Sequence, residues 1–94
     1  MEKKIELQVK IPEDVIKGVY SNNLLISHTR EEFVMDFMNI FHSGSTITSR
    51  VITSPGHMKR ILKAVQTNLS AYEKKFGEIQ EAQTPEGQKI GFVH

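Results

Sequence analysis

The side chains best equipped for chemistry are four histidines, two carboxylate pairs and one basic cluster. His28, His42, His57 and His94 are scattered, with no pair at helical spacing and no cysteine to complete a thiolate site. Zinc sites normally show clustered ligands, so no metal is expected. Serines are plentiful, but none sits in a glycine-framed nucleophile elbow. The pairs Glu13-Asp14 and Glu31-Glu32 fall in predicted turns, where exposed acids are ordinary. A catalytic site would have to be one that assembles only in the fold. The chain is therefore expected to act without covalent chemistry, as neither an enzyme nor a cofactor protein.

The basic cluster is a better candidate. Arg50, His57, Lys59, Arg60 and Lys63 gather around a predicted helix start, where free N–H groups and the positive end of the dipole also lie. Arg50, His57 and Arg60 are the candidate anion-binding residues, for a phosphate, a carboxylate or a nucleic-acid backbone. The formal charge is only +1, too little to hold a polyanion by bulk charge. No base-stacking aromatics stand among these cations. Nucleic-acid or anion binding is accordingly the alternative function.

The helix that carries this cluster is the clearest element. Ser54 suits an N-cap and Pro55 the first helical position. Met58, Leu62, Val65, Leu69, Tyr72 and Phe76 then recur at spacings of 4, 3, 4, 3 and 4. Gly77 follows as a C-cap behind Lys74 and Lys75, which suit the negative end of the dipole.

Strands are expected before it. Lys4–Ile11 alternates, with Ile5, Leu7, Val9 and Ile11 on one side and charged or amide residues on the other. Gly18–Ser27 reads as a second strand. Thr29–Phe41 begins like a helix capping box, but its phenylalanines and its short span favour a strand. Thr46–Thr53 is rich in β-branched residues. The predicted class is α+β: a four-stranded antiparallel meander sheet followed by one long C-terminal α-helix packed on one face. One domain spans residues 1–80, and residues 81–94 are expected to form a flexible tail.

Such a fold has more apolar surface than one chain can cover. One helix shields one face, whereas the middle strands are apolar on both faces. Self-association is the expected remedy, as a homodimer or homotetramer. The candidate interface residues are Leu24, Ile26, Val34, Met38, Leu62, Val65, Leu69 and Tyr72. The same surface, with free sheet edges, suits unfolded polypeptide as a further partner. No window approaches the ~18 apolar residues of a membrane span, so no membrane partner is expected. The N-terminal residues lack a secretion signal's apolar core, and a cytoplasmic location is the expectation.

Several segments together are familiar. Tyr20-Ser21-Asn22 precedes an apolar run, and Glu32-Phe33-Val34-Met35-Asp36-Phe37 follows. Then come Thr48-Ser49-Arg50-Val51-Ile52-Thr53-Ser54-Pro55-Gly56-His57-Met58-Lys59-Arg60, Asn68 and Tyr72–Ile79. Over about residues 5 to 80 the chain resembles the family called domain of unknown function 3467. That resemblance implies no activity and no catalytic residues. The order of strands then helix is also similar to half of the SecB export-chaperone fold, an analogy of topology alone.

Overall fold

The computed structural model describes residues 6–82. Its elements run α1 (Glu13–Ile16), β1 (Asn23–His28), β2 (Phe33–Phe41), β3 (Gly44–Thr53) and α2 (Pro55–Phe76). The strands form one antiparallel sheet in the order β1-β2-β3. The class is α+β, with a three-stranded sheet and a long C-terminal helix among the described residues.

Turn chemistry sets the two hairpins. The capping-box residues Thr29–Glu32 cap no helix. Thr29 Oγ1 instead accepts from the N–H groups of Glu31 and Glu32, at 3.2 and 3.3 Å. The Thr29 N–H donates to the Glu32 carbonyl, which closes the β1–β2 connection. Phe33 then pairs with His28, their rings 5.3 Å apart. At the other end, His42 and Ser43 alone join β2 to β3. Gly44 takes a φ of 143°, a value that L side chains rarely adopt.

A one-residue bulge interrupts the β2–β3 ladder. Met38 pairs with Ile47 and Phe37 with Ser49, so Thr48 has no partner of its own. Its hydroxyl donates to the Phe37 carbonyl at 3.1 Å. Beyond the bulge, Asp36 faces Arg50 and Met35 faces Val51.

Two expectations are corrected. The first concerns the strand over Lys4–Ile11. Lys4 and Ile5 lie outside the described residues, and Glu6–Ile11 belong to no strand. A strand needs a neighbour for its ladder. Here Pro12, the single turn of α1 and Gly18, at φ 69°, separate the segment from the sheet. The strand expected over Gly18–Ser27 is correspondingly short and starts at Asn23.

The second correction concerns α2, which covers neither face. None of its residues is buried. Ser54 alone connects it to β3 and is itself extended, at φ −77° and ψ 157°. One residue cannot reverse the chain, so the helix leaves the end of the sheet without lying across it. Ser54 Oγ accepts from the His57 N–H, and Thr53 Oγ1 lies 2.7 Å from His57 Nδ1. These contacts lock the junction. Gly77 ends the helix as expected, its N–H donating to the Glu73 carbonyl. The expected tail falls largely on residues 83–94, outside the described residues.

Candidate functional site

The sheet has two apolar faces. Pleating puts Leu24, Ile26, Met35, Phe37 and Val51 on one side, and Leu25, Val34, Met38, Ile47 and Ile52 on the other. Among the described residues, only Met35 and Met38 are buried apolar residues. They sit in the central strand, where neighbouring strands shield them from the sides. Leu24, Ile26, Ile47, Val51 and Ile52 are exposed.

The candidate interface residues therefore divide among three surfaces. Leu24 and Ile26 share the first face, Val34 and Met38 the second. Leu62, Val65, Leu69 and Tyr72 form a separate exposed stripe on α2. Ile79 closes one end of that stripe, making a shallow apolar groove with Val65, Leu69 and Tyr72. The Ile79 N–H donates to Glu73 Oε2 at 3.0 Å, which holds the chain back beside the helix. The rings of Tyr72 and Phe76 lie 4.9 Å apart and tilted by 47°, and Lys75 Nζ lies 5.3 Å from the Phe76 ring centroid.

The candidate anion residues are not gathered into one pocket. Arg50 lies within the edge strand β3, and its Nε and Nη2 donate to the two carboxylate oxygens of Asp36 on β2, at 2.6 and 3.1 Å. Asp36 is 3% exposed. The Arg50 hydrogen bonds, with the attraction of its charge, hold the Asp36 carboxyl below the usual carboxylate range against the opposing effect of desolvation. The same contacts raise Arg50 above its ordinary value. His57 is engaged by Thr53 at the helix junction, and Arg60 stands exposed on α2.

One polar constellation escaped the sequence reading. The carboxamide of Asn22 grips the Ile40 backbone as a strand would. Its Oδ1 accepts from the Ile40 N–H at 2.8 Å, and its Nδ2 donates to the Ile40 carbonyl at 3.1 Å. Ser21 Oγ donates to the carbonyls of Asn23 and Met38. Asn39 Nδ2 donates to the Tyr20 carbonyl at 2.9 Å, while its Oδ1 is buried without a partner among the described residues. The available signal was Tyr20-Ser21-Asn22-Asn23, a polar run of turn-forming residues where a strand was expected.

The model of a family described as protein of unknown function (DUF3467) matches residues 1–81. The chain belongs to that family. Membership in DUF3467 brings no activity with it. No curated protein and no solved structure matches the chain. Among the described residues no cluster of histidines and acids could hold a metal, and no helix is long and apolar enough to cross a membrane.

Proposed function

We propose that this DUF3467 protein is a non-enzymatic association module. Its sheet faces and helix stripe are covered by further copies of itself, as a homodimer or homotetramer, and by extended polypeptide in a SecB-like manner. The observation that carries this reading is the bare stripe of Leu62, Val65, Leu69 and Tyr72 on a helix with no buried residue. Each such side chain gains about 1.5–3 kcal/mol when fully buried. A cytoplasmic setting goes with this reading.

Two measurements test it. Sedimentation at micromolar concentration is expected to give a dimer or tetramer. Aggregation of an unfolded client is expected to be suppressed near stoichiometric ratio. A compact monomer that leaves the client aggregating refutes the proposal. Anion or nucleic-acid binding is the second reading. It is favoured by Lys59, Arg60, Lys63, Lys74 and Lys75 on α2 against the single acid Glu73. It is weakened by the commitment of Arg50 to Asp36. Binding of random RNA or DNA that falls steeply with salt would support it.

A further inference from the structure

We propose that Glu6–Ile11 of one copy adds as a strand to the outer edge of β3 in a second copy, and that two copies exchange this segment reciprocally. The inference deepens the association reading above and rests on it.

The donor is a strand in pattern without a sheet to join. Leu7, Val9 and Ile11 alternate with Glu6, Gln8 and Lys10. In the single chain Leu7 is 85% exposed and Val9 82%. Period-two alternation sorts side chains only when the backbone is paired, because pairing creates the two faces. The acceptor is equally incomplete. Among the described residues, the order β1-β2-β3 leaves one side of β3 without a ladder. That edge is ten residues long, against six in β1. It contains no proline and Arg50 is its only charged residue, which leaves the bulge at Thr48 as its main defence.

The connection favours another copy as the partner. Asn22 and Asn39 anchor the chain at the Ile40 end of β2 on the β1 side of the sheet, and α1 and Gly18 stand between that anchor and Glu6–Ile11, whereas the outer edge of β3 lies on the opposite side. Each copy thus holds out one donor segment and, at β3, the longer of its two outer edges. A two-fold pair satisfies both at once and closes without leaving a free end. Main-chain hydrogen bonds supply the affinity in this mode of addition, and the alternate side chains extend the apolar face of the receiving sheet.

Amide hydrogen exchange of the whole chain, measured at low and high micromolar concentration, tests the proposal together with sedimentation. Protection at residues 6–11 is expected to rise at least about tenfold as the dimer forms. Neighbouring N–H groups in a strand point to opposite sides, so either Gln8→Pro or Val9→Pro must remove a ladder bond. At least one of these variants is expected to shift the dimer towards monomer with an unchanged circular dichroism spectrum. An assembled species with unprotected residues 6–11 overturns strand exchange and leaves the association reading standing. Protection independent of concentration means pairing within one chain and also overturns exchange. A monomer at both concentrations overturns exchange and association together.

Discussion

Arg50 grips the buried carboxylate of Asp36 with two hydrogen bonds, at 2.6 and 3.1 Å, because the bulge at Thr48 brings it into register. Counting back from the Phe41–Gly44 pair without a bulge would set Ser49 opposite Asp36. The pair is lopsided: the Asp36 side chain is 4% exposed and that of Arg50 is 55% exposed. Removing the cation strands a desolvated acid, whereas changing the acid to an amide retains an acceptor. Urea midpoints are expected to fall in the order wild type, Asp36→Asn, Arg50→Met. An Arg50→Met protein as stable as wild type would show that the carboxylate needs no partner.

The same pair sets a pH dependence. Asp36 titrates lower in the folded protein than in the unfolded chain. Its contribution to stability is therefore complete above the ordinary carboxylate pKa. It is lost as pH falls from there through the depressed folded value. Urea midpoints of wild type and Asp36→Asn, followed from about pH 7 to about pH 3, are expected to converge at the acid end. Parallel curves would contradict the assignment.

The bulge makes its own prediction. Thr48 is an extra residue, so deleting it leaves Phe37–Ser49, Asp36–Arg50 and the pairs beyond in place. The deletion variant is expected to keep the sheet and the acid-sensitive pair. Thr48→Val keeps the bulge but loses the bond to the Phe37 carbonyl, at a cost of about 1 kcal/mol. Deleting Val51 instead turns Ile52 to the opposite face and is expected to abolish the thermal transition. Equal stability of the two deletion variants would refute this account of register.

Ser54 caps a helix with no fully buried residue. Ser54→Ala removes the acceptor for the His57 N–H, a loss of about 1 kcal/mol. With α2 standing free of the sheet, the loss is expected locally, as faster amide exchange in the first helical turn with little change at β2. Uniformly faster exchange would mean that helix and sheet unfold as one unit.

Leu69 is half exposed in the single chain. Leu69→Asp should therefore cost the isolated fold less than about 0.5 kcal/mol. If the stripe is an interface, the same variant is expected to move the sedimenting species towards monomer. Unchanged mass would take the α2 stripe out of the association surface.

Local signals carried much of this architecture. Ser54, Pro55 and Gly77 delimit α2 as their capping chemistry requires, because caps act between near neighbours. The aromatic and β-branched content of Phe33–Phe41 favours a strand over a helix, and the strand is there. Family membership was legible in the combination of segments from Tyr20 to Ile79, and the match covers residues 1–81.

The sequence by itself determined which residues are apolar and at what period they recur, and hence that β1, β2, β3 and α2 form. Tertiary structure alone decided where those apolar faces go. Whether α2 folds back depends on the single extended residue Ser54, and whether Glu6–Ile11 finds a neighbour depends on the path through α1 and Asn22. The pairing of Asp36 with Arg50 depends on one extra residue at Thr48. Periodicity records which side of an element is apolar; it does not record what stands opposite, because that is fixed by chain direction and register over a distance no local pattern spans.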